Sequence, residues 1–268
     1  MENTIVASRL SRTGLLPALS LFSLTLVSSH CTRAGMDAEA GTPGDGSRWD
    51  AAIGDCPGDM VPIPGQPACI DRYEATLYTN PDCSGLRYGA NGADFPSGFP
   101  PSVESAGCSG TCGSRTTSPA TMDLYACSVG GVRPTAWVTW FQAKRACENS
   151  GKHLCSSAER FDACAGNAGS TYPYGSTFVA GACNDASASL GAAALTGATT
   201  GCQGSAPGLF DLAGNLHEWL AGPPSDQYCN PAGGSFESLA ASATCTSLFG
   251  ENCGSQARSI GLRCCLAR

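Results

Sequence analysis

The sequence predicts a loop-rich, disulfide-rich α+β domain carried on an exported chain. Three observations predict it. Sixteen of the 17 cysteines follow Cys31, within about 210 residues, and in an exported chain such a density is read first as disulfides. The chain has 34 glycines and few long periodic stretches, which predicts short elements joined by many loops. Two helix starts and one strand-like segment are nevertheless legible from local chemistry.

The elements follow in chain order. Arg9 and Arg12 precede an apolar run over residues 15–27 that contains Pro17. A spanning helix needs about 20 apolar residues, so this 13-residue run reads as the core of a signal peptide over residues 1–30. Val27 and Ser29 suit cleavage before His30. Cys31 instead suits a lipidated N-terminus, although His30 stands where a small residue is expected. Setting Cys31 aside leaves sixteen cysteines, enough for eight bridges, and lipidation would explain the odd one. Residues 31–54 are rich in Gly, Ala and Asp without a hydrophobic period and read as a flexible linker. Residues 55–268 suit one domain by length.

Within that domain, residues 69–78 have strand character. A first helix follows Thr139, which forms a capping box with Gln142. Trp140, Ala143 and Cys147 fall on one face of it, and Gly151 closes it. A second helix follows Ser156, capped with Glu159, turns Phe161 and Cys164 inward and ends at Gly166. Residues 186–200, almost all Ala, Ser, Thr, Gly and Leu, read as a long loop.

Composition excludes some functions. From Cys31 onward there are 13 basic and 21 acidic side chains, and the only lysines are Lys144 and Lys152. No basic surface exists to displace phosphate counterions, so nucleic acid is excluded as a partner. Cys108 and Cys112 are spaced like a loose zinc pair, but His30, His153 and His217 supply no ligand pair by spacing. The chain has no G-x-S-x-G, H-E-x-x-H or phosphate loop.

Eight segments then line up in order with one family. Met60-Val61-Pro62-Ile63-Pro64-Gly65 resembles its opening strand, and Asp71-Arg72-Tyr73-Glu74-Ala75-Thr76 its "D-x-Y-E-V-T" strand. Val138-Thr139-Trp140 through Gly151-Lys152-His153-Leu154 resembles "V-S-W-x-x-A…A-Y-C…G-K-R-L". Ala158-Glu159-Arg160-Phe161 to Cys164 resembles the "A-E-W-E" helix. Tyr172-Pro173-Tyr174-Gly175 resembles "Y-P-W-G". Gly208-Leu209-Phe210-Asp211-Leu212 through Gly214-Asn215-Leu216-His217-Glu218-Trp219 resembles "G-L-Y-D-M-x-G-N-V-W-E-W". Gly233-Gly234-Ser235-Phe236 resembles "R-G-G-S-W", and Ile260-Gly261-Leu262-Arg263-Cys264 resembles "I-G-F-R-C". The family is that of the formylglycine-generating, or sulfatase-modifying factor, proteins, whose fold is a loop-rich α+β relative of the C-type lectin fold.

The resemblance carries expectations. It implies that Cys147 pairs with Cys264 and Cys164 with Cys245. Family enzymes oxidise a sulfatase cysteine with oxygen and hold Cu(I) between two cysteines shortly after the "G-G-S" motif, since soft thiolates suit Cu(I). Counted from Gly233-Gly234-Ser235 those positions are Ser238 and Ala243; counted back from Cys264 they are Ser235 and Ala240. Neither count gives a cysteine, so copper is not expected. The family's calcium site falls on Asn215 and Glu218 with backbone carbonyls near Ala213 and Leu216, set against a reading of Asn215 and Glu218 as a helix N-cap pair. A second calcium site falls near Asn184 and Asp185. His217, next to Glu218 on such a helix, is expected to face solvent.

The functional expectation is an exported, non-catalytic binding or scaffold domain: secreted, periplasmic or lipid-anchored at the cell surface. The alternative is an active formylglycine-type oxidase with a rearranged metal centre. The expected partner is an unidentified protein or glycan, bound by the loops over residues 80–130 and 176–207, with the membrane reached only through a lipid at Cys31.

Overall fold

A computed structural model of the chain describes residues 56–101, 120–222 and 228–268. The expected signal peptide, linker and lipidation site at Cys31, and the Cys108 and Cys112 pair, lie outside the described residues.

The described elements are short, as the glycine content implies. They run β1 (Met60–Pro62), β2 (Ala68–Asp71), β3 (Thr76–Tyr78), β4 (Arg87–Tyr88), β5 (Tyr125–Cys127), α1 (Trp140–Asn149), β6 (His153–Leu154) and α2 (Ser157–Ala165). Then follow β7 (His217–Trp219), β8 (Tyr228–Cys229), β9 (Pro231–Ala232), β10 (Glu251–Asn252), β11 (Ile260–Leu262) and β12 (Cys264–Ala267). One sheet has the order β1-β2-β12-β6, a second β4-β3-β5 and a third β11-β7-β9, with β10 and β8 as a separate pair. The fold is thus a loop-rich, disulfide-rich α+β fold. The segment expected as one strand over residues 69–78 is two strands in different sheets.

Both helices begin where local chemistry puts them. The Thr139 hydroxyl accepts from the Gln142 N–H while the Gln142 carboxamide accepts from the Thr139 N–H; Ser156 and Glu159 make the same reciprocal pair. Each box satisfies two N–H groups that the first turn leaves open. The end of α1 is equally determined. Lys152 N–H donates to the Cys147 carbonyl and Gly151 N–H to that of Glu148, with Gly151 at φ +69°. This double closure needs a left-handed residue one past the cap, and glycine adopts it without strain.

Two apolar cores sit on either side of the first sheet. Leu77, Phe99, Leu124, Val138, Trp140, Ala143, Trp219, Ile260 and Leu262 form the larger. Val61, Ile63, Ile70, Ala163, Leu209 and Leu212 form the smaller, with Phe161 half-buried against them. Each large aliphatic or aromatic side chain so buried contributes about 1.5–3 kcal/mol. Trp140 and Trp219 each solve their polar-atom problem by donating the indole N–H to a carbonyl, of Leu220 and Val138 respectively, at 2.9 Å.

Seven disulfides join all fourteen described cysteines: Cys56–Cys69, Cys83–Cys127, Cys147–Cys264, Cys155–Cys265, Cys164–Cys245, Cys183–Cys202 and Cys229–Cys253. Such a complement fits an oxidising compartment. No helix among the described residues is long and apolar enough to cross a membrane.

Candidate functional site

The loops after α2 converge on Asn215. It stands at φ 57°, a left-handed conformation that asparagine tolerates better than most residues. Its N–H donates to the Asn184 carbonyl and its own carbonyl accepts from the Phe236 N–H. Its side-chain oxygen accepts from the Asn184 amide at 2.9 Å and the Ala194 N–H at 2.7 Å, and its side-chain N–H donates to Glu74. One residue therefore joins four segments distant in sequence.

Beneath it lies a buried ionic cluster. Glu218, 1% exposed, accepts from Arg160 Nε at 2.7 Å on one oxygen and from Arg263 Nε at 2.8 Å on the other. Arg160 also donates to the Leu212 carbonyl, and Arg263 to those of Asp71 and Phe210. Glu74 takes the Leu216 N–H and the Asn215 amide, and Asp211 takes the Gly197 N–H. Three carboxylates thus share two guanidinium groups. Burial first, then repulsion from Asp211 and Glu218, pushes the Glu74 carboxyl well above its ordinary range. Burial raises Asp211 to about 6 against the opposing Gly197 N–H and Arg263.

These positions correct several sequence expectations. Asn215 and Glu218 are not a helix cap pair, because Glu218 lies in β7 and no helix follows Asn215. His217 lies in that same strand. It is half-buried with its ring 4.2 Å from that of Phe249, and its Nδ1 is buried without a partner. As calcium ligands, the side chains of Asn215 and Glu218 do not fit. The Asn215 oxygen already accepts two N–H groups, and both Glu218 oxygens face guanidinium groups that repel a cation. Ala213 and Leu216 flank this cluster, with the Leu216 N–H committed to Glu74. Asn184 is different. Its amide nitrogen is fixed by two acceptors, Ala192 O and Asn215 Oδ1, so the unpartnered buried atom is its oxygen. Asp185 follows it in sequence, also buried, with its Oδ1 taken by the Ser187 N–H and hydroxyl, which leaves Oδ2 as the oxygen it could offer. An orphaned carbonyl oxygen next to a carboxylate fits a hard cation, so Asn184 and Asp185 are the residues that would hold calcium here. Among the described residues, no three His, Cys, Asp or Glu side chains gather as a metal cluster.

The copper positions lie in the turn after Gly233 and Gly234. The Ser238 hydroxyl accepts from the Ser235 N–H at 2.9 Å, and the Ser235 hydroxyl accepts from the Glu237 N–H at 3.2 Å. Residues Ala240–Ser242 form a 3-10 turn, and Ala243 is buried against Gly234, where an added Cβ would come 2.7 Å from the Ala243 Cα. Hydroxyl and methyl groups thus occupy both pairs of positions, and the nearby cysteines Cys245 and Cys253 are in disulfides. The residues present do not fit Cu(I).

Beside this turn, next to the exposed ion pair of Arg258 with Glu237, lie aromatic and aliphatic groups. The Ala186 N–H donates to the Ser238 carbonyl and the Tyr172 hydroxyl to that of Ala240, which ties the loop over residues 172–190 to the turn. Tyr172 and Tyr174 stack at 5.4 Å. Val179, Leu190 and Leu239, at 53%, 59% and 72% exposure, carry apolar side chains outward from these segments. The expected long loop holds one 3-10 turn, Ala186–Ala188, and otherwise no helix or strand.

Sequence reasoning did not single out Arg160, Arg263, Glu74 or Asp211 as a cluster. The available signal was charge inside otherwise apolar motif segments, since Arg, Asp and Glu are rarely buried unless paired.

Residues 90–268 match the family described as "Sulfatase-modifying factor enzyme 1-like domain". No curated protein matches the chain. Among solved structures, the chain is similar to PvdO from Pseudomonas aeruginosa, at 17% identity over 74% of this chain and 79% of that one, with a TM-score of 0.47. It is similar to CarF at 18% identity over 75% and 86%, with a TM-score of 0.44. It is also similar to Treponema denticola variable protein 1, at 16% identity over 56% and 75%, with a TM-score of 0.45.

Proposed function

The chain belongs to the sulfatase-modifying factor enzyme 1-like domain family, and from that premise we propose that it is an exported binding or scaffold member that does not make formylglycine. The observation that carries this reading is the pair Ser238 and Ala243, or on the other count Ser235 and Ala240, at the positions of the copper thiolates. A serine hydroxyl is a hard, protonated group and a methyl is no ligand, so neither retains Cu(I) against competing thiols. With the fourteen described cysteines oxidised, no other thiolate among them replaces the pair. The remaining asset of the site is its surface. The loops around Ser238 present aromatic and aliphatic groups beside the Arg258–Glu237 ion pair, on a scaffold braced by disulfides and the Asn215 hub, which is how loop folds build recognition faces.

The test is an aldehyde assay. The purified protein, supplied with Cu(I), oxygen and a mild thiol as the two-electron donor, is incubated with a peptide carrying Cys-x-Pro-x-Arg and the product is weighed by mass spectrometry. The expected result is unmodified cysteine. Aldehyde above a copper-only control, lost when the protein is unfolded, would refute the reading.

A further inference from the structure

We propose that Arg160 and Arg263 replace calcium at Glu218, so that the carboxylate at the centre of this fold is neutralised by the chain itself and not by a metal. The family implies a calcium ion at this carboxylate, and the residues here disagree with it. The proposal does not depend on the reading of function above.

The geometry is that of a built counter-ion. Each Glu218 oxygen has its own guanidinium partner, at 2.7 Å from Arg160 and 2.8 Å from Arg263, and all three side chains are buried. Neither arginine is free to swing aside for an ion. Arg160 is held from the far end by the Leu212 carbonyl at 2.6 Å, and Arg263 by the Asp71 and Phe210 carbonyls at 2.8 Å each. Moving either would strand buried polar groups on both partners. A calcium ion bound about 2.4 Å from a Glu218 oxygen would also lie within a few ångströms of two positive charges, where like charges repel strongly.

The backbone leaves room for the Arg160 guanidinium. Gly233 has φ +90°, and a Cβ added there would come within 1.8 Å of Arg160 Nη2. The first glycine of the Gly233-Gly234-Ser235 turn therefore makes the room that the guanidinium fills. Arg160 sits on α2 at the place where the "A-E-W-E" motif has tryptophan, so the charge is a departure of this chain, and Glu218 is its partner. Arg263 belongs to the "I-G-F-R-C" motif; Arg160 is the added charge that saturates the second Glu218 oxygen.

The experiment uses the full, disulfide-bonded chain and two readouts, thermal melting and calcium uptake by calorimetry, each in excess chelator and in millimolar calcium. Glu218→Gln is expected to lower the melting temperature by roughly 10 °C, equally with and without calcium, because it strands two buried cations. Arg160→Met keeps an unbranched stem and removes the charged guanidinium, and it is expected to show a larger rise in melting temperature on adding calcium than the wild type, in which only Asn184 and Asp185 are left to respond. Asn184→Ala leaves Glu218 and both arginines intact and tests the site even where Glu218→Gln does not fold. It is expected to show no micromolar calcium binding. Retained micromolar binding in Asn184→Ala overturns the proposal, as does a calcium response of Arg160→Met no larger than that of the wild type.

Discussion

Cys245 is bonded to Cys164, 81 residues earlier in α2, and the bond lies two residues beyond Ala243, at the end of the turn that begins at Ser238. The cysteine closest in sequence to the family's copper positions is thereby oxidised, and its partner is a helix residue whose position the capping box at Ser156 already fixes. The absence of a thiol pair at this turn is therefore built into the covalent framework as well as into Ser238 and Ala243.

The first prediction concerns that framework. Alkylation of the unreduced, denatured protein should label none of the fourteen cysteines described here, and peptide mapping should recover Cys164 linked to Cys245. Cu(I) competed against a colorimetric chelator should stay with the chelator until the protein is reduced. Copper uptake by the unreduced chain would show that thiols persist near Ser238.

Cys264 and Cys265 are adjacent and bonded to Cys147 and Cys155, so the two bridges close nearly the same loop, with separations of 117 and 110 residues. Once one bridge is present, the other closes only a loop of roughly ten residues. On chain-entropy grounds, replacing one pair by alanine should cost about 2.5 kcal/mol, whereas replacing both should cost about 7 kcal/mol. The single-pair variants should therefore stay folded while the variant lacking both loses most of its stability. Denaturant unfolding measures this, and strictly additive costs for the two pairs would contradict the shared loop.

What the sequence revealed was local. The capping boxes at Thr139 and Ser156 and the end of α1 at Gly151 use residues three or four apart, and they lie where side-chain chemistry alone puts them. The ionic cluster was hidden because its two ion pairs join residues 58 and 45 apart in sequence and meet only through the fold. His217 was misplaced for a related reason. An Asn and a Glu three residues apart suggest a helix cap, but the left-handed Asn215 turns the chain into a strand whose parallel partner, β11, comes from residues more than forty positions away. The other five disulfides were likewise not legible, since spacing does not determine connectivity.

His153 and Glu159 form a pH-responsive pair at the edge of α2. The His153 Nε2 lies 3.0 Å from a Glu159 oxygen, and that contact raises the histidine against the opposing effect of burial. Burial works against the carboxylate too, but the contacts with His153 and Ser156 outweigh it and lower Glu159. A raised histidine stabilises the fold fully below its unfolded value of 6.5, and the effect is lost as pH rises through the folded value. A lowered carboxylate contributes above 4.5 and loses its effect as pH falls through its own folded value. The pair therefore contributes most between these limits. His153→Asn should lower the melting temperature near pH 5.5 and leave it nearly unchanged near about pH 8.5. A constant difference across that range would exclude the ion pair; the effect should be modest, because His153 is part-exposed.

His217 predicts the opposite limb of the pH profile. Its ring packs on Phe249 at 4.2 Å and its Nδ1 is buried without a hydrogen-bond partner. Burial first, and then the positive charge of Arg160, lower it from 6.5 to about 4. The unfolded chain therefore binds a proton at this residue more readily than the folded chain between those two values. Stability contributed by a depressed histidine is present above the unfolded value and is lost as pH falls from 6.5 towards about 4. The full loss is at most about 3 kcal/mol, and the part-exposed ring makes that an upper figure. Asp71 and Asp211, raised to about 6 chiefly by burial, act in the other direction over the same interval, because the folded chain holds their protons more tightly. They are present in wild type and variant alike and cancel in the difference. His217→Phe keeps a ring against Phe249 and cannot charge. It should therefore melt less steeply than the wild type on acidification from about pH 6.5 to 4.5, with the two converging or crossing at the acid end. If the two profiles run parallel, the buried, unpartnered imidazole does not govern acid stability, and the charge of the ionic cluster beside it does.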